Sequence, residues 1–316
     1  MRSACSRWSR RSVTSQSTAS LPHAMRVTAL KDVERRPRRV AVGEFDGVHI
    51  GHREVIAGND TVLTFEPHPA LVLKPDHGPR LLTSLDLKIE LVEELGVEEL
   101  VVVDFDEQFA HQAAAEFINR VLVDQLAATH VSVGDNFRFG HAALGNVLEL
   151  QEDNRFETRV VPLVEVDGVP VSSTRIRALI AAGEVADAER LLGAPFRIRG
   201  EVVPGDRRGR QLGFPTANIV PDPKLACPQH GVYACRVGER PAAVNVGVRP
   251  TFGADLRPLV EAYLLDFDGD LYGQQLTVEF ARRLRGEERF VSVDALVAQM
   301  ERDVERTREL LGSGVE

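Results

Sequence analysis

From Arg38 to about residue 180 the chain alternates two textures. Short apolar, β-branched runs, "VAV" (40–42), "TVLTF" (61–65), "LVVVDF" (100–105), "HVSVG" (130–134) and "RVVPLV" (159–164), read as buried strands. Between them lie stretches of helical period. "SLDLKIELVEEL" (84–95) follows Thr83 and Asp86, spaced as a capping box, and stops at Gly96; "AAAEFINRVLVDQLAA" (113–128) is amphipathic. Strands alternating with helices predict parallel βαβ units in an α/β layer fold, with ligands at the carboxyl ends of the strands.

Near residue 193 the texture changes. "LLGAPFRIRGEVVPGD" leaves the helical period, and the runs "GVYACRVG" (231–238), "PAAVNVGV" (241–248), "LVEAYLLDF" (259–267) and "QLTVEFA" (275–281) follow with no helix between them. This pattern predicts a small antiparallel barrel or sandwich. The chain closes on "SVDALVAQMERDVERTRELLG", a helix with Val293, Leu296, Met300, Val304 and Leu311 on one face. The expected organisation is an N-terminal extension over 1–24, an α/β domain over 25–192 and a barrel domain over 193–316.

Composition narrows the class. A chain of 316 residues suits two domains. Its 38 basic and 47 acidic residues give a net charge of −9, against a general nucleic-acid binder. No apolar run approaches the ~20 residues of a bilayer span. Cys5, Cys227 and Cys235 form neither a metal-ligand spacing nor a disulfide framework, which predicts a soluble cytoplasmic protein. Residues 1–24 are rich in Ser and Arg, hold no acidic residue and lack the apolar segment of a secretory signal. They read as a transit-peptide-like segment or an upstream extension with Met25 as the working start, the second favoured because "MRVTALKDVERRPRRVAVG" runs straight into the first strand.

Four polar clusters fall at expected strand ends. "GEFDGVHIGH" (43–52) is a glycine-punctuated turn followed by a helix start, which puts His49 and His52 on one face where unpaired N–H groups favour a phosphate. "TFEPHP" (64–69) adds a carboxylate and an imidazole, and "GDNFRFGHAALGN" (134–146) adds Asn136 and two aromatics. "VSSTRIR" (171–177) sets hydroxyls and guanidinium groups at another helix start, a combination suited to polyphosphate. In the second half, "GEVVPGDRRGRQLGFPTANI" (200–219) is not a Walker loop, but Gly205, Gly209 and Gly213 allow backbone to approach a nucleotide. Thr216 and Asn218 are oxygen ligands suited to a hard cation.

Taken together, from about Arg38 to Leu311, these residues resemble the bifunctional riboflavin kinase/FAD synthetase (FMN adenylyltransferase) family of bacteria. The resemblance implies a Rossmann-like nucleotidyltransferase domain followed by a β-barrel riboflavin kinase domain with a C-terminal helix. It implies ATP contacts in the first half at Gly43, Phe45, Asp46, His49, His52, Ser173, Thr174 and Arg177, and flavin contacts at Phe65 and Asn136. In the second half it implies ATP binding by Gly205, Gly209, Gly213, Thr216 and Asn218, with Thr216 and Asn218 on Mg²⁺. Glu261 is then the kinase base, and His49 and His52 act on the ATP phosphates during adenylylation. ATP, riboflavin, FMN and FAD are the implied substrates and products, with no nucleic acid or membrane partner; homo-oligomerisation is left open.

Two positions depart from the family pattern: the short crossover between "HIGH" and "TVLTF", and Pro170 where some members carry arginine. Other readings are a different HIGH-type adenylyltransferase, which leaves the second half idle, and a HIGH-type aminoacyl-tRNA synthetase, for which the matching Lys-rich loop is missing. A kinase with a weak adenylyltransferase, or a non-catalytic flavin-binding protein, are two more.

Overall fold

The computed structural model describes residues 24–205, 213–249 and 257–312; the extension to residue 23 and Gly209 lie outside the described residues. The first half is a six-stranded sheet of β1 (Arg26–Ala29), β2 (Arg38–Val42), β3 (Thr61–Glu66), β4 (Glu99–Asp104), β5 (Ala128–Gly134) and β6 (Glu157–Val161). Every pairing is parallel, in the order β1-β4-β3-β2-β5-β6. Strand alternation sends Val40, Val42, Leu63 and Val101 to one face, and Ala41, Val62 and Leu100 to the other. Both faces are covered, which is why the central strands read as unbroken apolar runs. The chain leaves β2 toward β3 on one side and later returns to place β5 on its other side. That reversal opens a crevice at the carboxyl ends of β2 and β5.

Helix α1 (Ile50–Ile56) and α2 (Leu85–Glu93) pack on the second face through Val55, Ile56, Leu87, Leu91 and Val92. The α2 cap is Ser84, whose hydroxyl accepts from the Leu87 N–H, and not Thr83. Thr83 is engaged elsewhere, donating its hydroxyl toward Asp46 and accepting from the Gly47 N–H. The amphipathic stretch expected at 113–128 is helical over 114–125, and residues 117–125 take the wider i→i+5 winding before β5 begins at Ala128.

The second half is a closed six-stranded antiparallel barrel. Its strands are β7 (Phe196–Val203), β8 (Ala217–Ile219), β9 (Gly231–Val237), β10 (Arg240–Arg249), β11 (Arg257–Leu264) and β12 (Gln275–Arg285). Around the barrel they run β7-β8-β11-β10-β9-β12. Closure removes the exposed edges that such short strands would otherwise leave. Helices α3 (Ser173–Ala182) and α4 (Val185–Leu192) end on Gly183 and Gly193, both at left-handed φ where a side chain would be strained. Their Ile176, Ile180, Val185, Ala188 and Leu191 share one core with Phe196, Tyr233 and Phe280. These helices therefore pack with the barrel, although they precede the change of texture at residue 193.

Helix α5 (Val293–Leu311) lies over β9 and β10. Its expected apolar face is only partly enclosed: Val293 is exposed, and Leu296, Met300 and Val304 line a cleft. The most buried positions are Asp303 and Thr307. Asp303 takes a bidentate pair from Arg285 at 2.8–3.1 Å and a further bond from Gln299. Breaking one side of such a pair strands a buried charge and costs about 3–5 kcal/mol. Asp303→Ala should therefore melt the barrel at lower temperature, and thermal denaturation followed by circular dichroism measures it. An unchanged melting curve would mean that the helix is held by apolar contact alone.

Candidate active sites

The turn after β2 builds the first site. Phe45 and Val48 sit at φ of 50° and 40°, with Gly47 at 88° between them, a concentration of left-handed backbone that L side chains resist. A side chain at Gly43 would collide with the Phe45 ring, which folds back over it and meets His52 edge-on at 5.4 Å. His49 caps α1: its Nδ1 accepts the His52 N–H at 3.2 Å, so the neutral ring carries its proton on Nε2. The His49 and His52 rings stack at 3.5 Å. A Cβ at residue 51 would press on the His49 ring, which explains the glycine inside "HIGH".

Asp46 is 2% exposed and gathers the surrounding elements. Its carboxylate accepts from the N–H groups of Leu82 and Thr83 and from Arg177 Nη2 at 2.7 Å, and Ser173 donates to its carbonyl. Asp46 and Phe45, expected as ATP contacts, are thus buried supports of the turn. Arg177 is tied to Asp46 instead of standing free, and Ser172 caps α3. Thr174 is exposed on the same first turn. Phe65, expected to contact flavin, packs into the core with Phe105 and Phe109 and is 7% exposed. Asn136 is exposed at the end of β5, across the crevice from the turn.

Burial pushes the His49 imidazole down to about 4, although Asp46 pulls the other way. Burial, then the charges of His49, Lys88 and Arg177, hold His52 well below its ordinary value. At neutral pH the pair is uncharged. His68 is the imidazole that "TFEPHP" placed at a strand end, whereas Lys88 carried no signal in the sequence. His68 lies 2.9 Å from the Glu44 carboxylate. Lys88, from α2, is 4% exposed and donates to the Glu44 carbonyl at 2.7 Å.

The second site lies on the outer wall of the barrel. Asn218, Glu261 and Asn245 stand opposite one another on β8, β11 and β10. Their neighbours Ala217, Val244, Val260 and Ala262 point inward to the barrel core, so the three polar side chains face out. Asn245 donates to Glu261 Oε2 at 3.1 Å. They line a cleft of about 1430 Å³ together with Gly205, Thr216, the 267–272 segment and α5. A Cβ on Gly205 would overlap the Asn218 amide, so glycine is needed there for close packing. Gly213 is at φ 88° in open space. Asn245 was legible only as part of a strand; pairing across β10 and β11 is what brings it to Glu261.

Comparison with known proteins follows the same division. The FAD synthetase family matches residues 31–175, and the riboflavin kinase family matches residues 192–311. A bifunctional riboflavin kinase/FMN adenylyltransferase of Escherichia coli strain K12 is 40% identical over 291 residues, covering 86% of this chain and 92% of that one. The chain belongs to the bifunctional riboflavin kinase/FMN adenylyltransferase family. A member from Bacillus subtilis strain 168 is 37% identical, with 84% of this chain and 89% of the relative covered. A crystal structure named as a macrolide-efflux protein from Streptococcus pneumoniae superposes at a TM-score of 0.81 with 33% identity, covering 89% of this chain and 98% of that one. Among the described residues no helix is long and apolar enough to cross a membrane.

The buried histidine gives a pH prediction. Between about pH 6.5 and about 4 the unfolded chain binds a proton at His49 that the native site refuses. Stability is therefore lost as pH falls through that window, by on the order of 3 kcal/mol from this group near its lower end. Denaturant unfolding over this range should show the decline, and His49→Ala should flatten it. An equal slope in both proteins would contradict a neutral native His49.

Proposed function

We propose that this protein converts riboflavin to FAD in two ATP-dependent steps, phosphorylation at the barrel and adenylylation at the sheet. The observation that carries the reading is the Asn218–Glu261–Asn245 row facing a flavin-sized cleft, with the histidine turn on a separate body.

In the first step Glu261 accepts the proton of the ribityl 5′-hydroxyl as its oxygen attacks the γ-phosphorus of ATP, and ADP leaves. The Asn245 bond to Oε2 leaves Oε1 for the hydroxyl. Thr216 and Asn218 are oxygen ligands; the Asn218 amide nitrogen donates to the Thr216 carbonyl, which leaves its Oδ1 as the acceptor. Among the described residues no cluster of three His, Cys, Asp or Glu could hold a metal. This donor set suits a hard cation arriving with ATP, and Mg²⁺ fits it. When bound, the ion offsets phosphate charge.

In the second step an FMN phosphate oxygen attacks the α-phosphorus of ATP, and pyrophosphate leaves. No protein nucleophile is needed. His49 offers an Nε2 proton to phosphate oxygens, and Ser173, Thr174 and Arg177 complete the phosphate end of the crevice, with Asn136 at the flavin edge. In this reading the work is cytoplasmic, where Cys227 and Cys235 stay free thiols. The net charge of −9 argues against nucleic acid as a partner. A homo-oligomer is not required, since each chain carries both sites.

Glu261→Gln should cut FMN formation ~10²–10⁴-fold yet leave conversion of supplied FMN to FAD. His49→Ala with His52→Ala should do the reverse, and mixing the two variants should restore FAD from riboflavin. Flavin separation by chromatography reads both steps. Loss of both activities in each folded variant would contradict two independent sites.

A further inference from the structure

The cations expected to meet phosphate in the first site are largely committed. Arg177 pairs with Asp46 at 2.7 Å, and the stacked imidazoles of His49 and His52 are uncharged at neutral pH. Glu44 faces His68 at 2.9 Å, and Glu66 ends β3 beside it. Two carboxylates thus stand at the mouth of a site that must admit a triphosphate.

Lys88 is a further cation at this site. It rises from α2 between β2 and β3, is 4% exposed, and among the described residues no carboxylate lies within 4.0 Å of its ammonium. Its Nζ donates to the Glu44 carbonyl at 2.7 Å and lies 3.4 Å from the Thr64 hydroxyl, which itself donates to that carbonyl. Burial pulls the Lys88 ammonium below its ordinary value while the charges of Asp46, Glu66 and Glu44 pull it back, and its hydrogen bonds go to neutral oxygens; an ammonium buried in this way is costly unless its charge is used.

We propose that Lys88 is a positioning residue for adenylylation: it latches the Glu44 end of the turn to β3 and supplies the fixed positive charge that offsets Glu44 and Glu66 when ATP enters. This rests on reading the histidine turn as the adenylylation site. The charged groups that act on Lys88 are Asp46 and Glu44 on the turn and Glu66 on β3, and Lys88 in turn acts on His52 of α1. The ammonium repels a proton on His52, so its removal should move that imidazole upward. The turn carries left-handed Phe45 and Val48, so a latch at its first residue bears on where His49 points.

The test uses the full chain with Lys88→Met, which keeps length and removes charge, and Lys88→Arg, which keeps charge. Lys88→Met should raise the KM for ATP in FAD synthesis at least ~10-fold. Riboflavin phosphorylation should stay at the wild-type rate and so serve as a folding control. NMR titration of labelled histidine should show the His52 signal, assigned with His52→Ala, titrating at higher pH in the Met variant. Lys88→Arg should retain most FAD synthesis. The double histidine variant separates the two claims: if it still makes FAD, the site reading fails. If it does not, while Lys88→Met shows an unchanged KM and an unmoved His52, the site stands and the Lys88 proposal falls. Should the Met variant fail to fold, Lys88→Gln takes its place, and an Arg variant as impaired as the neutral one overturns the charge argument.

Discussion

The buried carboxylate of Asp46 is the constraint on which the first half depends. Four strained or glycine positions between Gly43 and Val48 turn the chain from β2 into α1, and nothing in their local preference favours that path. Asp46 holds it by accepting from Leu82, Thr83 and Arg177 at once. A carboxylate this buried is tolerable only when its oxygens are satisfied, so the three donors and the turn depend on one another.

The same network reaches the barrel. Leu81, next to the residues that clamp Asp46, exchanges backbone bonds with Lys224 and Ala226. Helix α2 buries Lys88 toward the sheet while Glu90, on its outer side, takes a bidentate pair from Arg199 of β7. Helix α3 contributes Arg177 to Asp46 and Ile176 and Ile180 to the barrel core. The two halves are therefore joined by elements that also support the histidine turn. The second site has its own logic: it lies on the outside of a closed barrel, so its polar side chains cost the core nothing.

Much of this was legible in the sequence because it follows from period. The parallel strands, the barrel strands after residue 231 and the closing helix appear where the hydrophobic pattern sets them. Resemblance of "HIGH", "VSSTRIR" and "PTAN" to a known family pointed to the regions of both candidate sites. What stayed hidden depends on tertiary pairing. Strand β8 gave no strand signal because three residues within "PTANI" carry no period. Phe65 looked available at a strand end, but only the fold shows Phe105 and Phe109 closing over it. Asp46 and Arg177 read as two ligands because 131 positions separate them and no local rule pairs them. Lys88 looked like an ordinary polar residue on an amphipathic helix; its burial under the Glu44 carbonyl is a property of the assembled layers.

The claim that Asp46 and Arg177 act as one unit is tested most directly by a double-mutant cycle. FAD synthesis and thermal stability would be measured for Asp46→Asn, Arg177→Met and the combination. Non-additivity of about 1–3 kcal/mol in stability is expected, with the double variant hardly worse than either single one, because each single change orphans a buried partner. Strictly additive losses would show that the two residues act separately, and would remove Asp46 as the constraint that holds the histidine turn.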